Sequence, residues 1–165
     1  MRQFTRFYKE NFGSVSTSDK PTFRAVNVHA HNGCNLACKG CNHNSSVLAV
    51  GSSINVDQML NDLDNILPRI HIWSHISLLG GEPLLEPRCE EILTKIEELV
   101  DCRITLFSNA ILLHKNHDWI IEHMRRGTIL RLSMHVSPFS PKGKLNYKNV
   151  HDFIEYAEDK VCLLY

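Results

Sequence analysis

Short apolar stretches alternate with amphipathic stretches along most of the chain. Apolar residues in short runs or at every second position predict strands, whereas a spacing of three or four predicts helices. The predicted strands cover 25–31, 75–79, 103–107, 129–136 and 161–164. The predicted helices cover 56–67, 87–100, 118–126 and 150–160, with Pro87 in a first helical turn and Gly127 as a C-terminal cap. This alternation predicts an α/β fold with a parallel sheet.

The first 22 residues do not follow this pattern. They are polar, with glycine, serine and threonine close together, and predict an N-terminal arm over 1–22 ahead of one domain over 23–165. The 18 basic and 18 acidic residues balance, which excludes a polyanion binder driven by bulk charge. Since no long apolar run or secretory leader is visible, we expect a cytoplasmic protein.

Two of the predicted strands carry polar residues on one face. Inner strands of a parallel sheet are usually apolar on both faces, because helices cover both. The polar positions therefore predict either a wet cavity inside a curved sheet or an edge strand that faces solvent. Two such strands together favour the cavity. Its predicted lining residues are Asn27, His29, Arg131, Ser133 and His135.

Three of the six cysteines, Cys34, Cys38 and Cys41, lie within eight residues directly after the first predicted strand. Ligand sites of parallel α/β proteins lie at the carboxyl ends of strands. Three thiolates leave one iron of a cubane iron–sulfur cluster without a protein ligand, where a substrate can bind. The alternative is a structural Cys₃His zinc site with His43 as the fourth ligand. The other cysteines, Cys89, Cys102 and Cys162, lie in apolar segments and are predicted to be buried thiols.

The spacing Cys34-x-x-x-Cys38-x-x-Cys41 resembles the signature of the radical SAM enzymes. Gly80-Gly81-Glu82-Pro83, after the second predicted strand, is similar to the glycine-rich motif of that family. Ser108-Asn109-Ala110, after the third, is similar to its Thr-Asn-Gly. The three motifs follow successive strands in order, and the resemblance covers roughly residues 24–165.

The resemblance implies a parallel, partial (β/α) barrel in which Cys34, Cys38 and Cys41 ligate a [4Fe–4S] cluster. S-adenosylmethionine would bind the open iron through its amino and carboxylate groups. The implied cofactor-binding residues are Asn42, His43, Gly80, Gly81, Glu82, Asn109 and Ser133. Among them, Gly80–Glu82 would meet the methionine ammonium, because glycines let backbone carbonyls approach a ligand closely. Asn42 and His43 would contact the adenine, and Ser133 the ribose or carboxylate.

The implied activity is reductive cleavage of S-adenosylmethionine to a 5′-deoxyadenosyl radical, which abstracts hydrogen from a polar small molecule or peptide. The implied partner is an electron donor such as a flavodoxin or ferredoxin; binding to a membrane or to nucleic acid is not expected. A zinc-binding interaction module without catalysis is the alternative function.

The sequence departs from the family in three places. Gly40 stands where an aromatic residue often precedes the third cysteine, and Ala110 replaces the usual glycine. Family domains usually contain six βα units, whereas the last predicted strand here is the fifth. We therefore expect the barrel to lack its last unit or units, and its open edge to favour self-association.

Each motif also has a simpler interpretation when it is taken alone. The glycine pair predicts a turn, Glu82 a carboxylate at a helix start, and Asn109 a turn residue. His114, His117 and His123 are predicted to be surface residues, and Lys142, Lys144 and Lys148 to lie in a solvated loop.

Overall fold

The computed structural model describes residues 20–39, 41, 43, 45, 54–134 and 141–161. The strands over these residues are β1 (Thr22–His31), β2 (His71–Gly80), β3 (Arg103–Ser108) and β4 (Ile129–Leu132). The α-helices are α1 (Val56–Ile66), α2 (Cys89–Leu99), α3 (His117–Arg125) and α4 (Pro141–Ala157). Short 3₁₀-helices cover Leu67–Arg69, Pro83–Leu85 and Leu113–Lys115. Among these elements, no helix is both long and apolar enough to cross a membrane.

The four described strands form one parallel sheet in the order β1-β2-β3-β4. An apolar row crosses it, in which Val28 pairs with Leu78, Leu78 with Leu106, and Leu106 with Leu130. The first three of these residues are buried in the same core as the inward stripes of the helices. The open sheet with helices packed on its apolar face confirms the predicted α/β fold, a partial β/α barrel.

The opposite face of the sheet is more polar. One row joins Asn27, Ser77 and Thr105, and the next pairs Phe107 with Arg131. The polar positions of β1 and β4 thus share one face, as predicted. They do not lie on inner strands, because β1 and β4 are the two edges of the described sheet.

The predicted lining residues differ in exposure. Asn27, His29 and Arg131 are exposed, and Ser133, just after β4, is half-buried. His135 lies outside the described residues. Exposed polar side chains on the two edge strands fit the alternative of edge strands that face solvent, and the cavity stays a prediction.

The largest difference from the sequence prediction concerns α4. The helix begins at Pro141, so placing Lys142, Lys144 and Lys148 in a loop is wrong. The physical reason is that two of its inward positions hold polar residues: Asn146 is 1% and Asn149 is 4% exposed. These asparagines interrupt the apolar periodicity that marks a helix in the sequence.

Other differences are local. Helix α2 begins at Cys89, so Pro87 precedes it, and Pro83 instead starts a 3₁₀-helix. Strand β4 ends at Leu132, earlier than predicted. The predicted C-terminal cap after α3 is confirmed, because Gly127 has φ +109° and its N–H donates to the Met124 carbonyl at 3.1 Å.

Two predictions fall largely outside the described residues. They are most of the arm, over 1–19, and the fifth strand after Val161, over 162–164. Strand β1 begins at Thr22, the last position assigned to the arm.

His123 was expected at the surface, and this expectation is wrong. Its side chain is 2% exposed, and its Nδ1 lies 2.8 Å from Glu97 Oε1 of α2. Thr128 Oγ1 donates to the same carboxylate oxygen at 2.6 Å. Because Glu97 lies 26 residues away from His123 in the chain, the sequence pattern gave no sign of this buried pair.

Candidate cofactor site at the strand ends

Three loops meet at the carboxyl edge of the sheet, where parallel strands present their ends together. They are the cysteine loop after β1, the Gly-Gly-Glu segment at the end of β2, and Ser108-Asn109-Ala110 at the end of β3. The three sequence motifs are therefore neighbours in space, and direct hydrogen bonds join each loop to the next.

The glycine pair packs against the backbone of the cysteine loop. Gly81 N–H donates to the His31 carbonyl at 2.8 Å, and Glu82 N–H donates to the Gly33 carbonyl at 3.0 Å. A Cβ at Gly81 would lie 2.0 Å from Gly33 O, and a Cβ at Gly80 would lie 2.3 Å from His31 O. Both positions therefore require glycine, because this chain's own backbone occupies the space that a side chain needs.

Glu82 is buried, at 1% exposure, and accepts three hydrogen bonds. Its Oε1 accepts from Leu84 N–H at 3.2 Å and from the Ser108 hydroxyl at 2.8 Å, and its Oε2 accepts from Asn109 N–H at 2.8 Å. Burial raises the pKa of Glu82, and these hydrogen bonds oppose the shift. Glu82 thus caps the Pro83–Leu85 helix, as the simpler interpretation predicted, and also ties two strand ends together.

Asn109 links the third loop to the cysteine loop. Its Oδ1 accepts from Ile111 N–H at 3.0 Å, which fixes the direction of the side-chain amide. Its Nδ2 donates to Asn35 Oδ1 at 2.7 Å and lies 3.6 Å from Cys34 Sγ. The next residue, Ala110, has φ +65°. Alanine therefore takes up the left-handed conformation that usually favours glycine.

The three predicted ligands are all partly exposed thiols. Cys41 N–H donates to the Cys38 carbonyl at 3.3 Å, which makes a turn between these two residues. Cys34 Sγ accepts from Leu36 N–H at 3.4 Å. Burial raises the pKa of Cys34, and the negative charges of Glu82 and Cys38 act in the same direction. The hydrogen bonds from Leu36 N–H and from Asn109 oppose this rise in pKa.

The chemistry of this donor set bears on the two metal hypotheses. Among the described Cys34, Cys38, Cys41 and His43, no three ligand atoms lie within 4.8 Å of one another. Four ligands of one tetrahedral zinc, with Zn–S near 2.3 Å, stand only about 3.8 Å apart. In a cubane each cysteine binds its own iron, so the sulfurs stand farther apart. Three thiols on one loop are the soft donors that an iron–sulfur cluster takes, so the donor set fits a cluster; the same thiols with His43 also offer the ligand types of a zinc site.

The other predicted site residues are His43, Ser133 and Asn42. The ring of His43 stacks on that of His29 with 5.0 Å between the centroids. Burial lowers the pKa of His29, and the charge of His43 adds to this effect. Ser133 N–H donates to the Ser108 carbonyl at 2.8 Å, which places Ser133 beside the third loop. Asn42, like Gly40, lies outside the described residues.

Helix α4 supplies site residues that the sequence analysis missed. Asn146 Nδ2 donates to the Asn109 carbonyl, and Asn149 Nδ2 donates to the carbonyls of Ala110 at 3.3 Å and Ile111 at 2.8 Å. Lys142 Nζ donates to the Asn35 carbonyl at 2.8 Å. The available signal was the spacing of the two asparagines, three positions apart, which puts them on one helix face.

Comparison with known proteins agrees with this arrangement. The family model described as the radical SAM superfamily matches residues 28–161, a span that contains all three motifs. No curated protein matches the chain.

Proposed function

Because the chain belongs to the radical SAM superfamily, we propose that Cys34, Cys38 and Cys41 bind a [4Fe–4S] cluster and that S-adenosylmethionine binds at its open iron. One observation carries this proposal. The loop that bears the three cysteines is fixed by the two other motifs, through the backbone contacts of Gly81 and the side chain of Asn109. A structural zinc site on a loop requires neither of these supports.

When bound, the reduced cluster and S-adenosylmethionine would supply the chemistry, namely one-electron reductive cleavage of a sulfonium C–S bond to methionine and a 5′-deoxyadenosyl radical. The residues of the chain position the reactants. Cys34, Cys38 and Cys41 would hold three irons, and no fourth cysteine lies in this loop. The radical would then abstract a hydrogen atom from a polar substrate.

Glu82 and the glycine pair are proposed to receive the methionine ammonium. A buried carboxylate with a raised pKa is stabilised by a nearby cation, because the cation favours its charged form. The carboxylate oxygens already accept hydrogen bonds from Ser108 and Asn109. We therefore expect the ammonium to meet backbone carbonyls of this segment directly and the charge of Glu82 at longer range.

The polar face of the sheet is proposed to bind the remaining parts of S-adenosylmethionine and the substrate. We propose that His43 and Asn42 contact the adenine and that Ser133 contacts the ribose or carboxylate. Arg131 lies over the Phe107 ring, with 5.5 Å from its guanidinium carbon to the ring centroid. This pair supports a polar substrate, since the exposed guanidinium keeps its donors available.

The electron donor is proposed to be a flavodoxin or ferredoxin. Self-association through the open sheet edge is likewise a proposal. It is supported by β4, whose outer edge pairs with no other strand of the described sheet.

Anaerobic reconstitution with iron and sulfide, followed by an absorption spectrum and metal analysis, tests the proposed function. We expect a brown protein with broad visible absorbance, about four irons per chain and negligible zinc. A colourless protein that holds one zinc per chain and takes up no iron would instead establish the zinc-binding module.

A further inference from the structure

We propose that Asn109 positions the Cys34 ligand and raises the reduction potential of the cluster, instead of contacting S-adenosylmethionine, and that Asn146 holds Asn109 in place. This inference rests on the proposed function for its redox part. Its positioning part concerns the apoprotein as well.

The oxygen of the Asn109 side chain fixes the direction in which its nitrogen points. Its Oδ1 is engaged by Ile111 N–H at 3.0 Å, so its Nδ2 points toward the cysteine loop. An amide nitrogen carries two hydrogens. One serves Asn35 Oδ1 at 2.7 Å, and the other is available to Cys34 Sγ at 3.6 Å. Both donors of Asn109 are therefore directed at the cysteine loop.

The backbone of Asn109 is held from two sides. Its N–H donates to Glu82 Oε2 at 2.8 Å, and its carbonyl accepts from Asn146 Nδ2. Asn146 is 1% exposed, so water does not compete for that bond. Lys142, on the same helix, donates to the carbonyl of Asn35 at 2.8 Å. Helix α4 thus fixes both Asn109 and its partner.

A hydrogen-bond donor beside Cys34 Sγ would change the reduction potential of the cluster. Hydrogen bonds to cysteine sulfurs are among the factors that set the potential of iron–sulfur clusters. One-electron reduction makes the cluster more negative, and a donor directed at a ligand sulfur stabilises this added charge. Cys34 Sγ accepts a hydrogen bond from Leu36 N–H at 3.4 Å and faces Asn109 Nδ2. Removal of the Asn109 donor should therefore make the cluster harder to reduce.

Potentiometric titration of the reconstituted protein, followed by EPR, tests the redox part. Asn109→Ala removes the donor, and Asn109→Asp keeps the shape and the acceptor for Ile111 N–H while it removes the donor and adds a negative charge. We expect a lower midpoint potential in both, lower still in Asn109→Asp. The matched control is Asn65→Ala, since Asn65 is an exposed asparagine on α1 that donates to the Asn61 carbonyl. It should leave the potential unchanged.

Hydrogen exchange in the apoprotein tests the positioning part without any cluster. We expect faster exchange over residues 31–39 in Asn109→Ala and, to a smaller extent, in Asn146→Ala, whereas Asn65→Ala exchanges like wild type. If wild type takes up no iron, the proposed function fails, but this exchange experiment still decides whether Asn109 positions Cys34.

The inference is overturned if Asn109→Ala keeps the potential and the exchange rates of wild type. It is also overturned if Asn109→Ala keeps that potential while its affinity for S-adenosylmethionine falls, because Asn109 would then contact the ligand. A folded Asn109→Ala protein that exchanges rapidly over 31–39 and takes up no cluster supports the positioning role.

Discussion

Glu82 accepts a hydrogen bond from the backbone N–H of Asn109 at 2.8 Å, across the ends of β2 and β3. The bond joins two of the three motifs, and Asn109 in turn reaches the cysteine loop through Asn35. Glu82 is thus both a structural link and a candidate contact for a cationic ligand. Substitutions of Glu82 must therefore test the structural role and the ligand contact separately.

Glu82→Gln comes nearest to separating them, because it removes the charge and keeps one of the two acceptor oxygens, although its amide nitrogen then faces a donor. We expect this variant to bind the cluster but to lose roughly tenfold in affinity for S-adenosylmethionine, since an opposite charge at longer range in a partly buried site contributes about 1–2 kcal/mol. Anaerobic equilibrium titration measures this affinity. Glu86→Gln is the control, because Glu86 is a second buried carboxylate, 6% exposed, in the same segment. Equal affinities in wild type and Glu82→Gln would leave Glu82 with a structural role alone.

Glu82→Ala should instead destabilise the protein. It leaves the donors of Leu84, Ser108 and Asn109 without their acceptor. Burying such groups unpaired costs about 2–4 kcal/mol in the free energy of unfolding. Urea denaturation of the apoprotein measures this loss. A loss as small as that of an exposed surface substitution would show that water replaces the carboxylate.

The raised pKa of Glu82 predicts a pH dependence of stability. Burial holds the pKa of the folded carboxyl above its ordinary value of 4.5, so the folded chain keeps a proton that the unfolded chain releases. Stability from this group is therefore present below pH 4.5 and is lost as the pH rises through the folded pKa. Urea denaturation of the apoprotein at several pH values should show this loss in wild type and not in Glu82→Gln. Identical pH profiles would contradict the assignment.

Gly81→Ala should displace the cysteine loop. The new Cβ would meet Gly33 O at 2.0 Å, so the loop or the strand end must move. We expect a strong loss of iron uptake on reconstitution. Gly127→Ala is the matched control, since Gly127 has φ +109° but no atom within 4 Å of an added Cβ. It should cost about 1 kcal/mol in stability and keep iron uptake. Normal iron content in Gly81→Ala would show that the close contact is not needed.

Ala110→Gly should be nearly neutral. Glycine relieves the left-handed conformation of Ala110, which has φ +65°, by about 1 kcal/mol, and the lost buried methyl offsets a similar amount. Ala30→Gly, at an equally buried position in β1, should destabilise by roughly 1–2 kcal/mol, since no strain is relieved there. Thermal or urea unfolding compares the two. Equal losses of stability in Ala110→Gly and Ala30→Gly would show that the backbone of Ala110 is not strained.

The sequence predicted the parallel α/β fold and the three motifs because their signals are local. Cys34, Gly81 and Asn109 each stand at a fixed offset from a predicted strand end, and parallel strands bring those ends together. The role of Gly81 as a steric partner of Gly33 was not visible, because that contact joins two distant segments.

The parts that sequence analysis missed depend on burial of polar groups. Asn146 and His123 are both nearly inaccessible, at 1% and 2%, and each is buried only because a distant partner satisfies it. A pattern of apolar positions cannot report such pairs. For this reason the first half of α4, which braces the site, was mistaken for a loop.

The described cysteines are expected to have two roles, as cluster ligands and as thiols of the core. Replacing Cys34, Cys38 or Cys41 by alanine should abolish the cluster, because these are the thiols of the strand-end loop. Cys89→Ala and Cys102→Ala should keep it, since Cys89 is 2% exposed in the core and Cys102 packs against that core. Iron and sulfide analysis of each reconstituted variant measures this. Normal iron in Cys38→Ala would remove the basis of the assignment.

The EPR spectrum of the dithionite-reduced, reconstituted protein, recorded with and without S-adenosylmethionine, tests the central claim most directly. The claim is that three cysteines leave one iron open and that this iron binds the ligand. The account predicts a reduced [4Fe–4S] signal whose shape and g values change when S-adenosylmethionine is added. A cluster signal that S-adenosylmethionine leaves unchanged would contradict it.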